Sequence, residues 1–249
     1  MNTNKFDSKG NVYSKARPSY PDALFSYLIS ERVINKNTVA ADVGSGTGIF
    51  TVALSKFANS VFAVEPNNDM RVKAEEKFKT IANITSINAT AENTSLPDCS
   101  VDLITVAQAF HWFDREQFKN ECKRILKPNG KVVLVWNDRD NDSEIIKDNF
   151  EVNKKYCENF KGSSNGIDFS KEAFSNFFNG EFELVEFCNN FIYTREDFIA
   201  RNLSSSYAPK ENDLIYNDYI KAVEEVFEKY QTNGTVKYPY ITRCYFGTV

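Results

Sequence analysis

Ala41-Asp42-Val43-Gly44-Ser45-Gly46-Thr47-Gly48 is the stretch on which the reading of the fold turns. Val39 to Val43 before it read as a short apolar strand. Ile49 to Phe57 after it read as a helix with Val52, Ala53 and Phe57 inward. The three glycines therefore stand at a strand-to-helix turn, where the missing Cβ lets a ligand approach backbone N–H groups. Upstream, Pro21 suits a helical first turn, and Leu24, Phe25, Leu28 and Ile29 supply one apolar stripe. Downstream, Val61–Val64, Ile84–Asn88, Val101–Val106 and the very apolar Val132–Trp136 have strand length. Between them, Met70–Ile81 reads as a helix, and Phe118, Cys122, Ile125 and Leu126 mark another, stopped by the turn signal Pro128-Asn129-Gly130. This alternation predicts an α/β class with a parallel sheet and crossover helices. After Trp136 a polar stretch, Asn137 to Glu144, leads through weaker helical patterns to a strand at Phe182–Phe187, helices over Arg195–Tyr230 and a strand-like run over Tyr238–Phe246. Helices lying between two late strands are expected to cap the sheet.

The chain has 249 residues, 42% of them hydrophobic and 14% aromatic, ample for one large domain or one domain with a cap. Its 30 basic and 34 acidic side chains give a net charge of −4. That balance works against the broad positive surface that phosphate backbones require, so nucleic acid is not expected as a partner. Met1 to Pro21 lacks an apolar core and no run of about 18 apolar residues occurs, which predicts no signal peptide, no membrane span and a cytoplasmic location. Cys99, Cys122, Cys157, Cys188 and Cys244 are scattered with no CxxC spacing. They imply neither a disulfide framework nor a metal site and are expected as isolated buried thiols. Oligomeric state has no signature in the pattern.

The glycine spacing discriminates among nucleotide loops. A GxGxxG dinucleotide fingerprint needs its third glycine at position 49, where Ile49 stands, and a phosphate loop needs Lys-Ser or Lys-Thr after its last glycine. Neither fits. The loop suits something compact and not strongly anionic, with Asp42 placed to face a cation or to order the loop. Glu65 ends the second strand and Pro66 stops it. In a doubly wound sheet that carboxylate lies beside the first loop, where it can accept both ribose hydroxyls. Adenosine without a pyrophosphate, at such a loop, points to S-adenosylmethionine.

Asp42 to Gly48, Val64-Glu65-Pro66, Ala91-Glu92 and Arg124-Ile125-Leu126-Lys127-Pro128-Asn129-Gly130 together resemble the motifs of class I S-adenosylmethionine-dependent methyltransferases. Tyr13-Ser14-Lys15-Ala16-Arg17-Pro18-Ser19-Tyr20-Pro21 and Gln108-Ala109-Phe110-His111-Trp112-Phe113 are similar to the small-molecule branch that contains trans-aconitate methyltransferase. The resemblance covers residues 6 to about 138 and is weak beyond. It implies a single Rossmann-like domain over 1–249: a doubly wound, seven-stranded, mostly parallel sheet whose last strand is antiparallel, with an N-terminal helix and lid over 1–35, a cofactor-binding core over 36–138 and a helical substrate cap over 194–231. By resemblance, Gly44, Ser45, Gly46 and Gly48 lie under the methionine part of S-adenosylmethionine and Glu65-Pro66 bind the ribose. Asn67 and Met70 border the adenine, and Ala91 and Glu92 reach its edge. Gln108 stands near the methyl group, and Tyr13 and Arg17 cover the cofactor. Thr90 stands where many relatives have an acidic residue, the position from which the resemblance implies a polar contact to the adenine amino group.

Methyl transfer is an in-line displacement in which the cofactor carries the reactivity and the protein aligns and dries the site. An ionised carboxylate acceptor needs no base; a hydroxyl, phenol or amine does. His111, the single histidine, sits in the segment expected to line the pocket, and three roles stay open for it: general base, shaping of the wall with Trp112, or packing. Substrate candidates are Tyr20, Trp112, Arg139, Ser206 and Tyr207. Arg139, Arg195 and Arg201 read either as a fork for one carboxylate or as solvated surface charge. The leading expectation is methylation of a small molecule at oxygen, a carboxyl group included. The alternatives are a methyltransferase acting on RNA or protein, a non-catalytic cofactor-binding module, and a nicotinamide oxidoreductase.

Overall fold

The computed structural model describes residues 19–160, 162, 171–205 and 207–249. Along the chain run α1 (Asp22–Ser30), β1 (Val39–Val43), α2 (Ile49–Ser55), β2 (Ser60–Val64), α3 (Asn68–Phe78), β3 (Ile84–Ile87), β4 (Val101–Ala107), a 3-10 turn (Phe110–Trp112), α4 (Arg115–Ile125) and β5 (Leu126–Arg139). There follow α5 (Glu144–Tyr156), α6 (Lys171–Phe177), β6 (Phe182–Cys188), β7 (Phe191–Thr194), α7 (Arg195–Leu203), α8 (Tyr216–Tyr230), β8 (Thr235–Tyr238) and β9 (Tyr240–Gly247). Seven strands form one sheet in the order β3-β2-β1-β4-β5-β9-β6. The first five are parallel, and β9 runs antiparallel to both β5 and β6. The strand order reverses between β1 and β4, and the crevice at the carboxyl ends of those strands is where an open α/β sheet binds its ligand.

Strand alternation builds two cores, one on each face. Val132, Leu134 and Trp136 of β5 point to one face with Ile104 and Val106, where α4 and α6 deliver Phe118, Cys122, Ile125, Phe174 and Phe177. Val133 and Val135 point to the other with Leu103, where α1 and α2 deliver Leu24, Phe25, Leu28, Phe50 and Leu54. A third core lies off the sheet, where α5, α7 and α8 pack with the two-stranded β7–β8 ladder around Phe198, Tyr219, Val223, Phe227 and Tyr238.

The structure corrects several expectations. In α2 the buried residues are Phe50, Thr51, Leu54 and Ser55, one helical step from the expected Val52, Ala53 and Phe57, which are half-buried. On α1, Ile29 leaves the stripe and is 41% exposed. The Pro128-Asn129-Gly130 turn stays inside β5 as an irregularity. The register shifts between the pairs Val101–Leu126 and Leu103–Lys131, and Asn129 takes φ 66°. The late strand divides into β8 and β9 on either side of Pro239. Cys99 and Cys188 are exposed, so three of the five thiols are buried. Among the described residues, no helix is long and apolar enough to cross a membrane.

Candidate functional site

The glycine loop is built from backbone hydrogen bonds. Gly44 N–H and Ser45 N–H both donate to the Val64 carbonyl (2.8 and 3.1 Å), and Gly48 N–H donates to the Ser45 carbonyl (2.9 Å). Gly44 and Gly48 take φ of 70° and 77°, the left-handed region where a side chain is strained. A Cβ on Gly44 would lie 2.6 Å from Ala109 Cβ and 3.0 Å from the Phe113 ring; one on Gly48 would lie 2.6 Å from the Phe78 ring. The loop is thus pressed against the segment after β4 on one side and against α3 on the other. Gly46 is different. The nearest atom to a Cβ there is the Met70 sulfur at 3.8 Å, so the middle of the loop is open.

Glu65, 7% exposed, takes up its position at the end of β2 by accepting from Gly46 N–H through Oε2 (2.9 Å) and from Asn67 N–H through Oε1 (2.8 Å). Burial raises its pKa, and the two backbone donors oppose the rise. A carboxylate held by one N–H at each oxygen keeps further lone pairs to accept hydroxyl protons. Asp42 has two hydroxyls as its bonded partners among the described residues. It is 1% exposed and accepts from Thr51 Oγ1 (2.5 Å) and Thr105 Oγ1 (2.9 Å), so it orders the loop from below. Burial pushes its carboxyl up to about 6 despite those two hydroxyls.

Asn67 caps α3, its Oδ1 accepting from Met70 N–H (3.0 Å), which sets both residues at the rim of the loop. Ala91 is buried, and Glu92 Oε1 accepts from Asp114 N–H (3.0 Å), bracing the start of α4. Pro66 offers its carbonyl to Arg71 Nη1 (3.3 Å), which also holds the Glu65 carbonyl (3.0 Å). Lys77 Nζ donates to the Thr47 carbonyl (2.7 Å). Sequence reasoning passed over Arg71 and Lys77: both are ordinary helix-surface cations by spacing, and their targets are backbone atoms that carry no residue-type signal.

Beyond β4, Gln108 adopts φ 61°, uncommon for a residue with a side chain. Its N–H donates to the Val135 carbonyl (2.9 Å) and its Nε2 to the Asn137 carbonyl (3.2 Å), tying the ends of β4 and β5. The His111 and Trp112 rings lie 4.6 Å apart in the 3-10 turn, with His111 half-buried and Trp112 43% exposed. Tyr20 packs edge-on to Phe50 of α2 (4.8 Å). Arg139 ends β5 and donates from Nη2 to Tyr207 OH (3.1 Å), which joins two of the expected substrate residues. Of the three arginines considered for a fork, Arg195 is spoken for by Glu224 (2.8 Å), whereas Arg201 is 5% exposed inside the cap and is no surface charge. Tyr13, Arg17 and Ser206 lie outside the described residues.

The residues suit a nucleoside with a zwitterionic tail. The loop is open at Gly46, Glu65 supplies acceptors for a diol, and Ser45 Oγ is buried with no hydrogen-bond partner among the described residues, a donor held ready for a ligand oxygen.

Residues 41–134 match the model of the methyltransferase domain. The chain is 36% identical over 148 residues to a Dictyostelium discoideum protein described as a methyltransferase, 57% of this chain and 54% of that one. It is 37% identical over 129 residues to a methyltransferase-like protein of Schizosaccharomyces pombe, 51% of this chain and 49% of that one. The chain spans about half the length of these curated relatives. In fold it is similar to a methyltransferase structure from Anaeromyxobacter dehalogenans, with TM-score 0.68 and 20% identity over 93% of this chain and 97% of that one.

Proposed function

Taking residues 41–134 as a class I S-adenosylmethionine-dependent methyltransferase domain, we propose that the chain is an enzyme that methylates an oxygen of a small molecule, a carboxylate among the candidate acceptors. The observation that carries this reading is the double contact of the glycine loop. Gly46 is bonded to Glu65 at the ribose position, and Gly44 lies against Ala109 and Phe113, which flank the His111-Trp112 turn. Cofactor seat and acceptor wall are therefore one packed unit.

When bound, S-adenosylmethionine supplies a methyl group on a sulfonium, the C–S bond breaking as the C–O bond forms and its electron pair staying on sulfur. With the cofactor bound, Glu65 would accept the ribose hydroxyls, Asn67 and Met70 would border the adenine with Ala91 and Glu92 at its edge, and Gly44 to Gly48 would run under the methionine part. Gln108, held to Asn137, stands at the acceptor side. Alignment and exclusion of water are the protein's contribution. His111 acts according to the acceptor: it shapes the wall for an ionised carboxylate and removes the proton from a hydroxyl. The similarity of the N-terminal and Gln108–Phe113 motifs to the trans-aconitate methyltransferase branch supports a small acceptor, as does an acidic chain with eight acidic and five basic residues over 194–231. Five free thiols support a reducing, cytoplasmic setting.

Calorimetry with S-adenosylhomocysteine, followed by incubation with labelled cofactor and a metabolite extract, tests the reading. Binding and a labelled small product are expected. No binding, or label confined to RNA or protein, would overturn it. For a hydroxyl acceptor, His111→Gln is expected to lower kcat by about 10²–10⁴-fold while S-adenosylhomocysteine affinity stays within about twofold.

A further inference from the structure

Two arginines, Arg201 on α7 and Arg139 at the end of β5, have no part in the transfer step described above. Arg201, on α7, is 5% exposed. Its Nε and Nη2 donate to Tyr240 OH (3.2 and 3.1 Å) and its Nη1 to Asn149 Oδ1 (3.4 Å) and Asn202 Oδ1 (3.3 Å), and its guanidinium lies over the Tyr238 ring (4.5 Å). Arg139 donates to Tyr207 OH and pairs in register with Tyr240 across β5 and β9. These partners are hydroxyls, side-chain amides and an aromatic ring, and none is a carboxylate. Burial raises the Tyr238 pKa against the pull of Arg201 and Arg139, so that hydroxyl is not a counter-ion at physiological pH. The neighbouring carboxylate, Asp138, feels the charge of Arg139 but is bonded to Arg243 (2.9 Å), and burial raises its pKa against both.

Arg201 is buried and Arg139 half-buried, and among the described residues neither is bonded to a carboxylate, which is unusual because a charge taken out of water is ordinarily paired. Arg139 uses one of its five N–H donors on Tyr207, which leaves a fork for a planar oxyanion. The cluster also lies near the candidate transfer segment: Arg139 is two residues beyond Asn137, whose carbonyl holds Gln108.

We propose that Arg139 and Arg201, with the hydroxyls of Tyr207 and Tyr240, bind a carboxylate of the acceptor that is separate from the atom methylated. The inference rests on the small-molecule reading above. Two guanidiniums draw electron density from a carboxylate and make it a poor nucleophile, so the anchored group is a handle and a second oxygen receives the methyl. The acceptor class is a small acid carrying a carboxylate and another oxygen nucleophile, and the anchored carboxylate leaves the reaction still charged.

The test is calorimetry on the full chain, with and without S-adenosylhomocysteine, using malonate, glutarate and citrate as probes and malonamide and glutaramide as their neutral matches. At least one acid is expected to bind and the amides are not. Arg139→Gln is expected to weaken the acid by about 10–100-fold with S-adenosylhomocysteine affinity unchanged, and Arg139→Lys to fall between. Arg201 is stitched into the cap, so Arg139 is the position to vary, with a thermal melt confirming that each variant folds. If S-adenosylhomocysteine binds and none of the acids does, or if Arg139→Gln binds the acid as well as the unaltered chain, the anchor is wrong and the transfer reading stands. If the acid binds but S-adenosylhomocysteine does not, the transfer reading fails and the arginine site survives.

Discussion

Two buried carboxylates stand below and beside the glycine loop, and their partners divide their work. Glu65 is bonded to backbone N–H groups and keeps lone pairs toward the site; Asp42 is closed off by Thr51 and Thr105. Asp42 has a folded pKa of about 6 against an ordinary 3.8, so the folded chain holds its proton more tightly than the unfolded chain. Its contribution to stability is greatest below pH 4, falls as pH rises from 4 to 6 and stays low above. Asp42→Asn removes that dependence. The stability difference between variant and parent is expected to shift toward the variant by about 2 kcal/mol from pH 4 to pH 7, read from urea midpoints. A difference that is flat with pH would show that Asp42 ionises freely. Glu65 was legible from its place after the glycines, because the strand-end position in a doubly wound sheet dictates where its carboxylate goes. Arg71 and Lys77 were not, because what they hold is backbone.

At the scale of elements, strands were easier to read than helix faces. Val132 to Trp136 is apolar at every position because both sides of β5 are covered, one by α4 and α6 and the other by α1 and α2. The face of α2 was misread by one step because Ile49 to Phe57 is apolar nearly all round, and the choice between Phe50-Leu54 and Val52-Ala53 belongs to the partner surface. In the cap, α8 has a clear stripe and buries Tyr219, Val223, Val226 and Phe227. Phe227→Ala is expected to cost about 3–5 kcal/mol, whereas Leu214→Ala, fully exposed ahead of the same helix, is expected within about 0.5 kcal/mol. Denaturant melts of the two variants compare them directly, and equal midpoints would deny the cap its own core. The β7–β8 ladder escaped sequence reading because each strand is four residues long and they lie far apart in the chain.

For the whole molecule, a ligand that binds the folded chain alone stabilises it by mass action. S-adenosylhomocysteine at a hundred times its Kd is expected to add about 2.7 kcal/mol and to raise Tm by about 5–10 °C. NAD at the same concentration is expected to leave Tm unchanged. A shift with NAD and none with S-adenosylhomocysteine would reverse the cofactor assignment. The sequence by itself determined the α/β class, the parallel order of strand and helix through residue 136, and the glycine loop with its Glu65. These are set by local periodicity and by φ values that only glycine meets without strain. Tertiary structure decided the rest. It brought α5 from before β6 together with α7 and α8 from after it, and it buried Arg201 and half-buried Arg139 among tyrosines where spacing had left surface charge open. Charge on a side chain is legible in sequence; whether water or a neighbour answers that charge is not, because burial is a property of segments that meet only when the chain has folded.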